Sequence, residues 1–350
     1  MTPIPRVALA PGYTISRVLK GGWQLAGGHG AIEANAALDD MDRFVAAGIT
    51  TFDCADIYTG VESLIGRYLA RLRDRHGATA VDRIQVHTKY VPDLDTLATL
   101  RRTDVERGID RSCQRLGVDR LDLVQLHWWD YGSDRVVEVS LWLDELRQAG
   151  KLRHLGLTNF DVAHVEAIHR AGIPVASHQV QYSILDRRPA GKMSARCAEA
   201  GIGLLAYGAL AGGFLSERYL GAGAPVEPLE NRSLVKYRLI IDEFGGWDSF
   251  QALLRTLDAI GQHHGVGIGA VAVRWVLDQP QVAGVIVGAR HARHLDDVRA
   301  ACTLTLTDAD RAAIAAVQAR APGPSGDVYA LERAAGGRHA SIMRYTLNRD

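Results

Sequence analysis

Eight short apolar segments, each compatible with a β-strand, alternate with longer amphipathic segments along the chain. The strand-like segments cover 18–23, 49–55, 84–89, 121–127, 152–158, 177–181, 202–208 and 284–289. The helix-like segments cover 34–47, 60–74, 95–116, 135–149, 161–171, 187–200, 249–264 with 268–279, and 291–301. Several of these repeat apolar residues every three or four positions, which is typical of helices that bury one face. Because helices separate the strands, the strands must run parallel and be joined by crossovers.

Eight such units within 350 residues predict an α/β fold, a single (β/α)8 or TIM barrel domain over 1–350. The competing fold is a doubly wound open sheet, which usually carries a glycine-rich phosphate-binding turn after its first strand. Two GxGxxA strings occur, at 201–206 and 265–270, but both follow helix-like segments. Neither is therefore typical of a dinucleotide fingerprint, and the barrel is favoured.

Two segments lie outside the eightfold pattern. The connection 209–248, after the seventh predicted strand, is rich in Gly, Pro and charged residues. Connections of this length in compact domains are usually functional or disordered, so we expect a long loop with a role at the site. A helix-like stretch, 308–320, precedes a C-terminal extension over 321–350.

Composition excludes several classes of protein. Forty basic and forty acidic residues leave no net charge, so no net electric field attracts nucleic acid or anionic membranes. The four cysteines have no paired spacing, which argues against a disulfide framework and a thiolate metal site. No secretory signal and no apolar run near the length of a membrane span is visible. We expect a cytoplasmic protein without nucleic-acid or membrane partners, and its oligomeric state stays open.

Chemically active side chains occur at or just beyond the carboxyl ends of three neighbouring strands, where barrel enzymes carry their catalytic groups. These are Asp53, Tyr58, Lys89 and His127. An ammonium favours the ionised form of a nearby phenol, and a carboxylate would hold that ammonium in place. A histidine could orient a substrate oxygen, so the set suits proton donation to the alkoxide formed when hydride adds to a carbonyl. Each residue alone has an ordinary structural explanation, and the joint placement predicts a site.

The same residues resemble motifs of the aldo-keto reductases. The string 53–58, DCADIY, is similar to that family's D-x-A-x-x-Y segment, Lys89 lies in VHTKY, and His127 ends LGVDRLDLVQLH. The resemblance covers roughly 15–300 and keeps the family's order and spacing. It implies that Tyr58 is the general acid or base, that Lys89 and Asp53 tune it, and that His127 orients the carbonyl.

The resemblance also implies a nicotinamide cofactor and the residues that hold it. In the family, positions matching Thr158, Asn159 and Gln179 hold the carboxamide, and amide side chains suit a group with two donors and one acceptor. By the same resemblance, Tyr207 stacks on the nicotinamide ring, and Gly208 and Leu210 offer backbone amides to the pyrophosphate.

The segment after the last strand resembles the family's site for the adenosine 2′-phosphate and contributes Gly288, Arg290 and His294. Arginine suits a phosphate. This chain departs from the family at Val287, which replaces a proline, at His294, and at the acidic pair 296–297. We expect NADP(H) in preference to NAD(H). In the long connection, Arg232, Lys236 and Arg238 are further candidate phosphate partners.

Tryptophans near the strand ends predict an aromatic substrate pocket. Trp23 follows the first strand, and Trp128 and Trp129 follow His127. We expect Trp23 and Trp128 to line a pocket for a small carbonyl or alcohol, and Trp129 to cover the barrel end. No metal site is predicted, because the histidine pairs at 263–264 and 291–294 lack a framework of carboxylates or thiolates.

Four functions compete at this point. The favoured one is NADP(H)-dependent reduction of aldehydes or ketones. The same site could oxidise a sugar hemiacetal or small alcohol with NAD(P). A non-catalytic regulatory subunit that binds the cofactor is disfavoured by the complete set of catalytic residue types. A lyase or isomerase without nicotinamide would not need the pair Asn159 and Gln179.

Overall fold

The computed structural model describes residues 3–348 except 28, 31, 134 and 289. A short antiparallel hairpin, β1 (Arg6–Ala10) and β2 (Tyr13–Ser16), precedes eight parallel strands that close into a barrel, with β10 next to β3. The barrel strands are β3 (Val18–Gly21), β4 (Thr51–Asp53), β5 (Gln85–Tyr90), β6 (Leu121–His127), β7 (Leu152–Thr158), β8 (Val175–Gln181), β9 (Gly203–Tyr207) and β10 (Val282–Val287). The predicted (β/α)8 barrel is confirmed.

Helices surround the barrel and fill the connections. They are α1 (Ala34–Ala46), α2 (Val61–His76), α3 (Ala78–Val81), α4 (Arg102–Leu116), α5 (Val136–Gln148), α6 (Val162–Arg170), α7 (Lys192–Ala200), α8 (Arg232–Glu243), α9 (Gly246–His264), α10 (Ile268–Leu277), α11 (Leu295–Thr303), α12 (Asp308–Arg320), α13 (Ala330–Arg333) and α14 (Arg338–Ser341). Within the part of the chain that the structure describes, no helix combines the length and the apolar character needed to cross a membrane.

The β1–β2 hairpin, which the sequence analysis did not predict, closes the amino-terminal end of the barrel. Its Leu9 and Ile15 are buried against the barrel-interior residues Leu123 and Leu205. The Tyr13 hydroxyl lies 3.0 Å from His87 Nε2 inside the barrel. The packed hairpin fills this end, so the space for a ligand lies at the carboxyl ends of the strands.

The connection 209–248 is not only loop, because it contains α8. The Asn231 side chain caps this helix by accepting a hydrogen bond from the Leu234 backbone N–H at 3.1 Å. Leu234, Tyr237 and Ile241 repeat at helical spacing and are buried. The cap and this periodicity are visible in the sequence, but the surrounding Gly, Pro and charged residues obscured them.

The C-terminal extension folds back across the carboxyl end of the barrel. On one side, the buried Arg188 guanidinium binds Glu332 through two bonds of 2.9 and 3.1 Å and also binds Asp186. On the other side, Asn348 Nδ2 donates to the Val91 carbonyl at 2.7 Å. The extension is therefore fixed at both ends of its path over the barrel.

Candidate active site

A cavity of about 1030 Å³ opens at the carboxyl ends of the barrel strands. Its volume is at the upper end of the range for small-molecule sites, which suits a dinucleotide together with a substrate. Sixteen of the eighteen residues expected at the site or as phosphate partners line it: Trp23, Asp53, Tyr58, Lys89, His127, Thr158, Asn159, Gln179, Tyr207, Gly208, Leu210, Arg232, Lys236, Gly288, Arg290 and His294.

A buried ion pair forms the floor of this cavity. Lys89 Nζ, at the end of β5, donates to the two carboxylate oxygens of Asp53 at 3.0 and 2.8 Å and to the Cys54 carbonyl at 2.8 Å. Burial opposes the charge on Lys89, but the Asp53 carboxylate outweighs this effect and raises the pKa of the ammonium. Lys89 therefore stays charged at neutral pH.

Two glutamines complete the shell around Asp53. Gln179 Nε2 donates to Asp53 Oδ1 at 2.6 Å, and Gln125 Nε2 reaches the same oxygen at 3.3 Å. Gln125 was missed in the sequence, although it lies two residues before His127 on β6. Residues two apart on a strand face the same side, so the alternation pattern could have placed Gln125 inside the barrel.

Tyr58 lies in the turn after β4, beside the ion pair. The Lys89 ammonium is 5.1 Å from the centre of its ring, and the Trp23 ring meets it edge-on at 5.2 Å. Burial raises the pKa of Tyr58 above its ordinary value, and the positive charge of Lys89 opposes that rise without cancelling it. The phenol is therefore protonated at neutral pH, in the form that can donate a proton.

His127 presents one ring nitrogen for a ligand. Its Nδ1 lies 3.3 Å from the Thr158 carbonyl, while its buried Nε2 has no hydrogen-bond partner among the described residues. Burial, with the nearby charge of Arg333, lowers the pKa of His127 to about 3, so the ring is neutral. The single proton of the neutral ring can sit on Nδ1, where the Thr158 carbonyl accepts it, or on Nε2, where it can be donated to a ligand oxygen.

Amide groups suited to a nicotinamide carboxamide converge at the ends of β7 and β8. The Asn159 backbone N–H donates to the Gln179 carbonyl at 2.9 Å, and Asn159 adopts a left-handed conformation with φ 63°. The Tyr207 hydroxyl donates to Asn159 Oδ1 at 2.8 Å. The side-chain amides of Asn159 and Gln179 line the cavity beside the Tyr207 ring, and they suit the carboxamide and ring of a nicotinamide.

The segment after β10 carries a mixed set of charges. Arg290 donates to the His29 carbonyl, and His294 lies between Arg293, at 3.1 Å, and Asp297, at 3.8 Å. Arg290, Arg293, His294 and Asp297 come from the region expected to surround a 2′-phosphate. These four residues and His29 all line the cavity. Positive groups outnumber the one carboxylate, and such a surface suits a phosphate.

Comparison with known proteins agrees with this geometry. The family model described as "Aldo/keto reductase family" matches residues 17–319. The chain belongs to this family.

Individual relatives of this aldo/keto reductase differ in what their names describe. The flagellar radial spoke protein 5 of Chlamydomonas reinhardtii is 31% identical over 64% of this chain, and the match spans only 49% of that longer protein. The NADH-specific methylglyoxal reductase of Escherichia coli (strain K12) is 25% identical, with 85% of this chain and 93% of that protein covered. Among solved structures, a glycerol dehydrogenase from Gluconobacter oxydans superposes with a TM-score of 0.75 at 25% identity, covering 90% and 95% of the two chains.

In this aldo/keto reductase, the prediction that Trp128 lines the pocket is wrong. The Trp128 side chain is fully buried in the core outside the barrel, whereas Trp129 lines the cavity with its ring 4.2 Å from that of His127. Side chains alternate along an extended backbone. Because His127 faces the cavity, the next residue faces the helices and the one after returns to the cavity mouth.

The expectation for Arg238 is also wrong. Its guanidinium pairs with Asp242 at 3.1 Å and lies over the Trp247 ring at 5.3 Å, away from the cavity. Arg232 and Lys236, on the same helix, do line the cavity. Arg232 and Lys236 are four residues apart and share one face of α8, whereas Arg238 lies on a different face.

The C-terminal extension adds residues that the sequence analysis did not assign. Tyr329 lines the cavity with its ring 5.9 Å from His127. Arg333 donates to the carbonyls of Asn159 and Trp128, both at 2.9 Å, and its guanidinium stacks 3.9 Å from the Tyr131 ring. Arg333 thus connects the two segments that follow β6 and β7.

Arg333→Met is expected to lower stability and loosen the site. Two charge-assisted bonds to buried backbone are lost, and each such bond contributes about 1.5–3 kcal/mol. Urea unfolding should show a lower midpoint, and cofactor affinity should fall because Asn159 loses its support. The matched control is Arg338→Met on α14, where an exposed pair with Asp242 is lost. Equal midpoints for the two variants would contradict a structural role for Arg333.

Proposed function

We propose that this aldo/keto reductase catalyses NADP(H)-dependent reduction of aldehydes or ketones, with Tyr58 as the general acid. The observation that carries the proposal is the Tyr58 phenol beside the buried Lys89–Asp53 pair, in the same cavity as His127 Nε2, which has no hydrogen-bond partner among the described residues. This arrangement brings together a proton donor, Tyr58, and the charge of Lys89, which stabilises Tyr58 after it has lost its proton. It also includes a group that orients the substrate oxygen, His127.

Each side chain has a distinct role in this proposal. When bound, the nicotinamide cofactor supplies the hydride. Tyr58 gives its proton to the substrate oxygen as that oxygen gains negative charge. Lys89 then stabilises the tyrosinate, and Asp53 keeps Lys89 charged and in place. With its ring proton on Nε2, His127 donates a hydrogen bond to the substrate oxygen and fixes its position.

Turnover of a carbonyl panel tests the proposal directly. Loss of reduced nicotinamide absorbance is followed with NADPH and with NADH against aldehydes, ketones and aldoses, and alcohols are offered with the oxidised cofactors. We expect turnover of carbonyl compounds, faster at low concentrations of NADPH than of NADH. A protein that binds the cofactor but turns over no carbonyl compound would contradict the proposal and favour a regulatory role.

NADP(H) is proposed over NAD(H) because two guanidinium groups, those of Arg290 and Arg293, line the same end of the cavity against one carboxylate, that of Asp297. Arg290→Ala is expected to weaken NADPH binding about ten- to hundredfold and NADH binding much less. The reason is that one charge-assisted phosphate contact contributes about 1.5–3 kcal/mol. Dissociation constants follow from quenching of tryptophan fluorescence.

The control for this variant is Arg320→Ala at the end of α12, which removes the same charge outside the cavity. We expect it to leave both dissociation constants unchanged. An equal loss of NADPH and NADH affinity in Arg290→Ala would mean that Arg290 does not contact the 2′-phosphate.

A further inference from the structure

Three cationic side chains line one wall of the cavity, and we call Arg232, Lys236 and Arg344 the cationic wall. The first two belong to α8 and the third to the C-terminal extension. Among the residues that the structure describes, none of the three has a carboxylate within ion-pairing distance. Arg232 donates instead to the Ile342 carbonyl at 3.1 Å.

Lys236 has the most unusual surroundings of the three. Its ammonium lies 5.1, 5.9 and 5.5 Å from the ring centres of Tyr207, Tyr237 and Tyr329, and its hydrogen-bond partner is the Tyr207 hydroxyl at 3.5 Å. Aromatic faces stabilise a cation but supply no counter-charge. Burial lowers the pKa of Lys236, as expected for an ammonium without an adjacent anion.

The carboxylates near this wall are already engaged. Glu332 and Asp186, whose negative charges act on Lys236, share the single Arg188 guanidinium, so this cluster keeps one net negative charge that partly balances the cationic wall. Elsewhere in the cavity, Glu217 accepts a bond from the Ile268 backbone N–H at 2.6 Å. Burial, with the like charge of Arg344, lowers the pKa of Arg232. Two of the three positive charges of the wall remain unbalanced by these carboxylates, and an anionic ligand would offset them.

The cationic wall lies within reach of the proposed reaction centre. Tyr329 lies between Lys236 of the wall and His127 of the reaction centre. Its ring centre is 5.5 Å from Lys236 Nζ and 5.9 Å from the centre of the His127 ring. A small molecule can therefore place its carbonyl at His127 and Tyr58 and a second polar group at Lys236.

We propose that the cationic wall binds an anionic group, a carboxylate or a phosphate, on the carbonyl substrate, with Lys236 as the main contact. The inference rests on the proposed function and specifies its substrate class. In this proposal the cationic wall determines which substrates bind, and Tyr58 transfers the proton.

A matched pair of aldehydes tests the proposal. 4-Carboxybenzaldehyde carries a carboxylate where 4-formylbenzamide carries a neutral group of nearly the same shape. We expect the ratio of their kcat/KM values to favour the acid in the wild type and to fall about ten- to hundredfold in Lys236→Met, mainly through KM. The ratio cancels any general loss of activity in the variant. Lys236→Arg, which keeps the charge, should retain most of the preference.

A second pair, glyceraldehyde 3-phosphate and glyceraldehyde, separates phosphate from carboxylate as the anion. A preference for the charged member of either pair that Lys236→Met abolishes supports the proposal. Ratios near one for both pairs in the wild type overturn it. Unchanged ratios in Lys236→Met also overturn it, and weaker NADPH binding in that variant would then show that Lys236 contacts the cofactor phosphates.

Failure of the proposed function would give a different result, because neither the charged nor the neutral aldehydes would be turned over. In that case, calorimetric titration of terephthalate and of terephthalamide, with NADP⁺ present, tests the wall without turnover. Binding of terephthalate that Lys236→Met weakens supports the anion site. Equal or absent binding of the two probes overturns it, and so does terephthalate binding that Lys236→Met leaves unchanged.

Discussion

Tyr58→Phe is expected to lower kcat for carbonyl reduction by about 10²–10⁴, the usual contribution of a general acid. Phenylalanine preserves the ring that packs edge-on against Trp23 and lies beside Lys89, and it removes only the transferable proton. Cofactor affinity should therefore change little. Steady-state kinetics with saturating NADPH, together with fluorescence titration of the cofactor, measure the two effects separately.

The control for this experiment is Tyr68→Phe on α2, which removes the hydroxyl group of a buried tyrosine outside the cavity. It should keep wild-type kcat. A loss below about tenfold in Tyr58→Phe would contradict the assignment, because it falls short of general acid catalysis.

The pH profile adds a second readout. Since the pKa of Tyr58 is raised, reduction should be insensitive to pH near neutrality, and alcohol oxidation, which needs the tyrosinate, should accelerate as pH rises.

The barrel and most of the site could be predicted from local sequence features. Buried parallel strands appear as short apolar runs, and the barrel brings the carboxyl ends of all eight to one face. That geometry places Asp53, Lys89 and His127 around one cavity even though they are far apart in the chain. The ordering of Trp128 and Trp129 was also accessible, had the strand alternation been continued past His127.

The contribution of the C-terminal extension could not be predicted in the same way. Tyr329 has a left-handed backbone with φ 62°, and Arg333 ends a helix of only four residues, so neither belongs to a recognisable periodic pattern. Their positions depend on the buried contact between Arg188 and Glu332, which are 144 residues apart. Such a contact follows from the tertiary fold and leaves no local signal in sequence.

Lys89→Met is expected to reduce kcat by at least about 10², because the tyrosinate formed after proton transfer loses the charge that stabilises it. The pKa of Tyr58 should rise further, since the Lys89 ammonium is what opposes the effect of burial. The pH at which alcohol oxidation accelerates should therefore move upward relative to the wild type. Profiles of kcat against pH in both directions measure this shift.

The same variant should also be less stable, and this effect must be separated from catalysis. Asp53 would be left as a buried carboxylate without its cation, and breaking such a pair costs about 3–5 kcal/mol. The double variant Asp53→Asn with Lys89→Met removes both charges, so its unfolding midpoint should recover part of the loss. Its kcat should nevertheless stay low, because Tyr58 still has no ammonium beside it. Recovery of kcat together with stability would show that Lys89 acts only by neutralising Asp53, and wild-type rates in Lys89→Met at every pH would exclude Lys89 from the chemistry altogether.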